Sequence, residues 1–297
     1  IIILSGIKRN SSNIYYHEIN LNSKKTNSKN ICYTNKKFEN LDDFGYINQD
    51  SIFVIHSFID YYHDDLICLI NGGGEIIQSY SLDEANVLTK KNSYLENNDT
   101  AVYLISNMYE PFNYVGYKIF LLFNPKGNIL GDYFTENRPI AGYIDTKNNI
   151  FKHTNIYYPD IDFGKTFFPN DCMSFYSIIG HDNDILYGYS YTPTILKYCF
   201  ETDDIRKLSL KSNIYDTIIP FGTEKETPNS YKFNSSIPYY FTLNYDRYRN
   251  YYYRIMIAPK QYESRTTVLI ADTSFNVVAE GFTPTKYATN FLFTKDY

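Results

Sequence analysis

Hydrophobic and polar positions along this chain form short alternating runs that are typical of β-strands. Apolar runs end in clusters of Asn, Gly, Asp or Pro, residues that supply the backbone conformations that tight hairpins need. Helical periodicity is scarce, and residues 82–88 are the best helix candidate, with only about two turns. The pattern predicts an all-β protein.

The predicted hairpins join two apolar strands through a polar turn. They lie at residues 65–80, 117–134, 194–210 and 267–280, with a weaker one at 13–33. Further apolar stretches precede them at residues 52–55, 101–105, 185–189 and 251–257, and a sixth, less distinct group lies between 140 and 163. Groups that recur every 50 to 70 residues or so are typical of propeller blades, which take roughly 40–50 residues each.

The sequence therefore predicts one domain over residues 1–297, a six-bladed β-propeller with four-stranded antiparallel blades. The N-terminal group lacks a strand, and residues 288–294 are suited to supply it. Pairing of the N- and C-terminal strands would close the ring and remove exposed sheet edges. The alternative is a β-sandwich with long loops, for which the number of modules is high.

Composition narrows the function classes. The 297 residues are 43% hydrophobic and 21% charged with a net charge of −5, which argues against disorder and nucleic-acid binding. No apolar run approaches the roughly 20 residues of a membrane-spanning helix. The 33 Tyr and 21 Phe residues favour strands. The four cysteines, Cys32, Cys68, Cys172 and Cys199, have no metal-binding spacing. Cys32, Cys68 and Cys199 lie in apolar or aromatic stretches and are predicted to be buried hydrophobic residues.

The candidate ligand site is the densest charged cluster in an aromatic setting. It comprises Asp246, Arg247, Arg249, Tyr252 and Arg254. Arginines beside Tyr rings suit bidentate binding of a carboxylate, a phosphate or a sugar acid. The structural alternative is an Asp–Arg pair that fixes one turn between strands, with the Tyr rings as packing. Strand alternation puts Tyr252, Arg254 and Met256 on one face, so Arg254 must either pair or reach solvent.

Other clusters indicate loops rather than chemistry. His56 and His63 offer no obvious third metal ligand, and residues 181–184 lack the Gly and Glu of a calcium loop and read as a tight turn. Asp160 and Asp162 would share a face if extended, whereas the two carboxylates of a glycosidase usually come from separate segments. We therefore predict no catalytic residue, no metal site and no cofactor.

Two stretches near the C-terminus carry a recognisable pattern. Residues 245–255 read YDRYRNYYYRI, and residues 268–280 read VLIADTSFNVVAE. They resemble the YD-x-YR-x-x-YYR-I and I-x-LD-x-x-F-x-x-x-GE stretches of an uncharacterised Bacteroidetes family of TolB-like six-bladed β-propellers, domain-of-unknown-function family 4221. Ala271 and Ala279 stand where that family has Leu and Gly. The rest of the chain agrees in module order and length only.

The resemblance implies a lipoprotein of the cell envelope, periplasmic or anchored in the outer membrane by a lipidated Cys of the precursor. The family has no assigned activity to carry over. We therefore expect a binding module for a protein or glycan ligand, with no nucleic-acid partner and no transmembrane span. One alternative is a glycan-active hydrolase or lyase on the propeller, with carboxylates in a central funnel. Another is a structural component with a broad apolar face.

Overall fold

The computed structural model describes residues 2–7, 13–20, 23, 25–32, 43–48, 50–56, 66–81, 102–104, 113–125, 139–157, 175–215, 238–257, 266–283, 293 and 295. Within these ranges there is no α-helix, and a single turn of 3-10 helix lies at His181–Asn183. The predicted all-β class is confirmed. The helix candidate at 82–88 and the pair Asp160 and Asp162 lie outside the described residues.

The chain divides into two compact units. The first consists of Ile1–Gly127 with Ile140–Thr154, and the second of Asn128–Pro139 with Asn155–Tyr297. The single domain over residues 1–297 stays a prediction.

The described residues of the first unit form three antiparallel sheets. One has three strands: β1 (Ile2–Ile7), β2 (Asn13–Asn20) and β3 (Lys25–Cys32). The next has four: β4 (Asp43–Asn48), β5 (Ser51–His56), β6 (Leu66–Ile70) and β7 (Ile76–Ser81). The third contains β8 (Val102–Leu104), β9 (Asn113–Val115), β10 (Lys118–Pro125), β11 (Ala141–Asp145) and β12 (Ile150–His153). Its order is β12-β11-β10-β8, and β9 also pairs with β10.

In the part of the second unit that the structure describes, there are two antiparallel sheets of four strands, each in chain order. The first is built from β13 (Phe175–Ile179), β14 (Ile185–Tyr189), β15 (Thr194–Tyr198) and β16 (Ile205–Ser209). The second is built from β17 (Tyr239–Asp246), β18 (Tyr251–Ile257), β19 (Thr266–Ala271) and β20 (Val277–Phe282). The side chains of β14 are all buried, whereas the last strand of each sheet is largely exposed.

These sheets of sequential strands are compatible with a propeller-like fold. The hairpins predicted at residues 65–80, 194–210 and 267–280 are confirmed as β6–β7, β15–β16 and β19–β20. Six blades and closure of the ring stay predictions, because Phe293 is the one described residue of the segment 288–294.

Two details of the strand assignment were wrong. β10 runs through Asn124 and Pro125, which the sequence pattern places in a turn. Residues 141–153 do not start a sheet of their own, because β11 and β12 pair in sequence with β10. β11 is buried along its whole length, and its buried backbone groups find partners in β10 on one side and β12 on the other.

Side chains of the turn residues close two hairpins in the same way. Asn71 Oδ1 accepts hydrogen bonds from the backbone N–H groups of Gly73 and Glu75. Asp272 Oδ1 accepts from those of Ser274 and Asn276. The Asn- and Asp-rich turns of the sequence therefore fold as expected from their chemistry.

Each unit has a core in which two sheets pack face to face. In the first unit, Phe53, Ile67 and Tyr80 pack with residues of β10 to β12. In the second, the core between its two sheets includes Tyr176, Leu186, Ile195, Leu243, Tyr252, Met256 and Leu269. Cys68 and Cys199 are buried, as predicted, and the side chains of Cys32 and Cys172 lie outside the described part of the chain. The core of the second unit positions the candidate site.

Candidate functional site

Asp246 fixes the turn between β17 and β18. Its Oδ1 accepts hydrogen bonds from the backbone N–H groups of Tyr248 and Arg249 at 2.9 and 3.2 Å. Its Oδ2 accepts one from the guanidinium of Arg249 at 2.8 Å. Asn250 ends the turn with a left-handed φ of 59° and donates its N–H to the carbonyl of Asp246. The Asp–Arg pair thus holds a turn between strands, as the structural alternative expected.

The environment of Asp246 keeps its carboxylate ionised. The residue is fully buried, and burial by itself raises the pKa of its carboxyl group. Hydrogen bonds from the Arg249 side chain and from the N–H groups of Tyr248 and Arg249 outweigh burial, so the pKa lies below its ordinary value. Asp246 is therefore an anion at neutral pH whose two oxygens accept hydrogen bonds from its own turn.

Tyr252 lies in an aromatic stack between Tyr245 and Phe275, with ring centroids 4.8 and 4.6 Å away. Its hydroxyl accepts a hydrogen bond from the backbone N–H of His181 at 2.9 Å. Gly180 leaves room for it, because a Cβ there would lie 2.8 Å from the hydroxyl oxygen. Burial raises the pKa of Tyr252 to about 12, so the hydroxyl stays protonated at neutral pH. Tyr252 connects β18 to the turn before β14.

Arg254 is also fully buried. Its guanidinium donates to four backbone carbonyls and to the hydroxyl of Tyr176. Tyr252 and Met256 share its face of β18 and belong to the core against the neighbouring sheet. The predicted alternation is confirmed, and of the two outcomes it allowed, Arg254 pairs.

Two turns of neighbouring sheets meet through Tyr245. Its hydroxyl donates to Asn250 Oδ1 at 2.8 Å, and its ring contacts the His181 ring edge-on at 6.2 Å. Burial raises the pKa of Tyr245, and the negative charges of Asp182 and Asp246 raise it further. We call residues 181–183, 245 and 247–250 the turn platform.

Arg247 and Tyr248 are the exposed members of the platform that combine a cation with an aromatic ring. The Arg247 guanidinium donates to the Tyr248 hydroxyl at 3.1 Å and lies 5.1 Å from the ring centroid. Tyr248 is 43% exposed. This pair offers solvent a positive charge beside a flat apolar surface.

The five predicted ligand-binding residues divide into two groups. Asp246, Arg247 and Arg249 lie in one turn, whereas Tyr252 and Arg254 lie on the buried face of β18. The turn is exposed at Arg247 and Arg249, whereas Tyr252 and Arg254 are buried, so the two groups do not form one ligand-accessible surface. Ligand binding by these residues stays a prediction.

The second motif also joins sheets of the second unit. Phe275 adopts a left-handed φ of 65° and stacks on Tyr252. The Glu280 carboxylate accepts hydrogen bonds from the Ser212 hydroxyl and, at 2.7 Å, from the backbone N–H of Asn213, just after β16. Sequence reasoning missed Ser212 and Asn213, because no local pattern distinguishes them.

Among the described residues, no three His, Cys, Asp or Glu side chains are grouped as metal ligands would be. The turn predicted at residues 181–184 is confirmed: the Asp184 N–H donates to the His181 carbonyl, and Asp182 and Asn183 have left-handed φ values of 59° and 62°. His63 and most of its loop lie outside the described residues. Within the described ranges, no helix has the length and apolar character to span a bilayer.

Comparison with known proteins places the fold. Neither a family model nor a curated protein matches the chain. Among solved structures it is similar to a DUF4221 family member from Bacteroides vulgatus, with a TM-score of 0.62 and 17% identity, over 95% of this chain and 81% of that one. It is less similar to virginiamycin B lyase from Staphylococcus aureus (TM-score 0.44, 12% identity, 97% and 68% of the two chains). It also resembles a protein of unknown function from Bacteroides caccae, with a TM-score of 0.41 and 10% identity, over 95% of this chain and 81% of that one.

The last two TM-scores are too low to support any comparison of function, and the first match, at 17% identity, shows the fold alone. The resemblance seen in the two C-terminal motifs is confirmed at that level: this chain has the fold of a member of domain-of-unknown-function family 4221.

Proposed function

We propose that this chain is a binding module of the cell envelope whose ligand, a protein or a glycan, contacts the turn platform. One observation carries the proposal. Two turns from neighbouring sheets meet through Tyr245 and leave Arg247 and Tyr248 exposed, while Asp246 and Arg254 make their hydrogen bonds inside the protein. A rigid framework beneath exposed side chains is typical of a preorganised binding surface.

The exposed chemistry favours a glycan that carries carboxylate groups, such as a polyuronate. A guanidinium binds a carboxylate through two parallel hydrogen bonds. A Tyr ring offers a flat apolar face against which the C–H groups of a sugar pack. Arg247 and Tyr248 place both features side by side. A protein ligand is the other outcome of the test below.

The five candidate residues take different roles in this proposal. Arg247 and Arg249 contact the ligand, since both lie on the exposed turn. Asp246, Tyr252 and Arg254 hold the framework, because their polar groups are engaged by the protein itself. A ligand therefore meets the turn and leaves the buried face of β18 untouched.

We assign no catalytic residue. The buried carboxylates among the described residues are Asp145, Asp184 and Asp246, and each is held by its own turn or by a lysine. A glycosidase or lyase needs carboxylates or bases that face the substrate. Release of reducing ends or unsaturated sugars from a bound glycan would favour the enzyme alternative.

The six-bladed, closed propeller and the location in the cell envelope are part of the proposal. Sheets of sequential strands support the first, and the resemblance of the C-terminal motifs supports the second. The envelope location predicts that the protein made by its native cell fractionates with the envelope and incorporates labelled palmitate. Recovery in the cytoplasm without label would overturn the envelope and lipid-anchor parts.

Isothermal titration tests the ligand site with oligouronates and with neutral oligosaccharides of similar length. We expect uronate binding that falls by about tenfold or more in Arg247→Ala and in Tyr248→Ala, the loss of one charge-assisted contact or ring face. Lys147→Ala is the matched control, because Lys147 is an exposed cation that lies over Tyr117 in a turn of the first unit. It should bind as the parent does.

Equal weakening in Arg247→Ala and Lys147→Ala would point to non-specific charge attraction and contradict the platform as the site. No binding to any glycan, together with binding to an envelope peptide that Arg247→Ala abolishes, would keep the site and replace the ligand by a protein. No binding to either class would overturn the proposal.

A further inference from the structure

Arg254 crosses from β18 to the neighbouring sheet and makes five hydrogen bonds there. Each of its two terminal amino groups donates two hydrogen bonds. The first donates to the carbonyls of Pro193 and Leu210 at 2.9 and 3.0 Å. The second donates to the carbonyls of Tyr189 and Thr192 at 3.1 and 2.9 Å. A guanidinium has five N–H donors, and these contacts use the four terminal ones.

Two Tyr side chains complete the enclosure. Nε of Arg254 donates to the Tyr176 hydroxyl at 3.3 Å, and the Tyr240 ring lies 3.6 Å from the guanidinium carbon. Gly188 makes the first contact possible, because a Cβ at that position would overlap the Tyr176 ring. Tyr176, Tyr240 and Gly188 are all buried, so the enclosure is built into the core.

Among the described residues, no carboxylate forms an ion pair with Arg254. Its partners are carbonyl dipoles, a hydroxyl and the negative face of a ring. Buried arginines are usually paired with acids, because desolvation of a lone cation is costly. Here the Tyr240 ring against the face of the guanidinium and the carbonyls at its edges compensate for the desolvation.

We propose that Tyr189, Thr192, Pro193 and Leu210, together with Tyr176 and Tyr240, form a guanidinium-selective binding site that Arg254 fills from within the same chain. When Arg254 is shortened, the vacated site binds a small alkylguanidinium ion. An ammonium ion has three donors and no flat face, so it cannot satisfy all of these acceptors. An alkali metal ion can be coordinated by carbonyl oxygens but has no flat face to lie on the Tyr240 ring, so it does not match the whole set of partners either.

Filling this site fastens the two sheets of the second unit together. The carbonyls belong to the turn between β14 and β15 and to the residue after β16, whereas Arg254 belongs to the next sheet. Its partners lie 61 and 44 positions away at Pro193 and Leu210. Arg254 therefore fills the site only when both sheets have folded and docked.

Thermal unfolding of Arg254→Ala in the presence of added cations tests the proposal. We expect the variant to lose about 10 °C in Tm, as for loss of a buried, fully hydrogen-bonded group. Ethylguanidinium at millimolar concentration should restore part of this loss and saturate, as expected for a ligand of the native state. Ethylammonium and potassium at equal ionic strength should restore none of it.

The matched control is Arg206→Ala, which removes an exposed arginine of β16. Its Tm should not rise with ethylguanidinium, which at higher concentration only destabilises proteins. Equal rescue of Arg254→Ala by ethylguanidinium and ethylammonium, or equal effects of ethylguanidinium on both variants, would overturn the guanidinium site.

If Arg254→Ala does not remain folded, refolding supplies the same test. The yield of refolded variant after dilution from urea should rise severalfold with ethylguanidinium and stay unchanged with ethylammonium. Arg254→Lys gives a second readout, since its cation fills the space with only three donors and should leave the protein less stable than the parent. A lysine variant as stable as the parent would contradict selectivity for a guanidinium.

Discussion

Two turns in different units share one geometry, around Asp145 and around Asp246. In each, Oδ1 of the aspartate accepts from the N–H groups of the second and third following residues, and Oδ2 accepts from the side chain of the third. That third residue is Asn148 in one turn and Arg249 in the other. A left-handed asparagine follows, with φ of 52° at Asn149 and 59° at Asn250.

The difference between the two turns shows which side chains the backbone conformation needs and which are additional. Because an amide closes the Asp145 turn, the backbone conformation does not require a guanidinium. The positive charge of Arg249 is therefore additional to what the turn needs, and so is the exposed ring of Tyr248 where the other turn has Lys147. These additions are among the residues to which the proposed function assigns ligand contacts; Arg247 is the other.

The largest expected effect comes from removing each aspartate. Asp246→Ala should decrease the free energy of unfolding by about 3 kcal/mol, and Asp145→Ala by about 2 kcal/mol, because both lose three hydrogen bonds and only Asp246 loses one that a cation donates. Urea denaturation followed by Tyr fluorescence measures both. Equal losses, or a larger loss for Asp145, would show that Arg249 adds nothing to its turn.

Asparagine in place of each aspartate sharpens the comparison. Asp246→Asn brings an amino group against Arg249, which has only donors, so we expect a loss of about 2 kcal/mol at neutral pH. In Asp145→Asn, Asn148 can turn its amide and accept instead, and the loss should stay below about 1 kcal/mol. Similar losses in both would contradict the donor-only reasoning.

The pH dependence of these variants follows from the lowered pKa values. Hydrogen bonds outweigh burial at both Asp145 and Asp246, so each carboxyl has a pKa below its unfolded value. The stability that each provides is complete above the unfolded pKa of about 3.9 and is lost as the pH falls through the folded pKa. The difference in free energy of unfolding between the parent and Asp246→Asn should thus be constant down to about pH 5 and decrease below about pH 4. A gap that widens at low pH has the wrong sign for this carboxylate.

Exchanging the third residue of the two turns tests the contribution of the Arg249 charge alone. Arg249→Asn should cost less than about 1 kcal/mol, because the ion pair is partly exposed and an amide can replace its hydrogen bond. Affinity for an oligouronate should nevertheless fall by about tenfold, the value of one charged contact. The reciprocal Asn148→Arg should be similarly mild. A collapse in stability with Arg249→Asn would make its guanidinium structural.

The fold was predictable where the local chemistry is strong. Hairpins closed by residues such as Asn71 and Asp272 follow from turn preferences and alternation. Strands β13 and β17 were missed, since they mix aromatic and polar residues and are buried by packing between sheets. The sheet of β11 and β12 was assigned wrongly, because pairing with β10 spans a segment that local pattern does not bridge.

The sequence predicted which face of the strand the site residues share, but not their hydrogen-bond partners in the neighbouring sheet. Alternation correctly put Tyr252 and Arg254 on the same face, and an Asp–Arg pair in a turn was the structural alternative, although the sequence did not identify Arg249 as its arginine. The partners lie too far along the chain for any pattern to link them: His181 is 71 positions from Tyr252, and Pro193 is 61 positions from Arg254. Such contacts arise only from docking of the two sheets.

The smallest expected effect concerns the left-handed residue that ends each turn. Glycine adopts this conformation without strain but loses more entropy on folding, so Asn149→Gly should change stability by no more than about 0.5 kcal/mol. Asn250→Gly also removes the acceptor of the Tyr245 hydroxyl and should cost about 0.5 kcal/mol more. Alanine at either position should cost about 1 kcal/mol or more, because its Cβ is strained at positive φ. If alanine were tolerated as well as glycine, the left-handed turn would not be what unites the two regions.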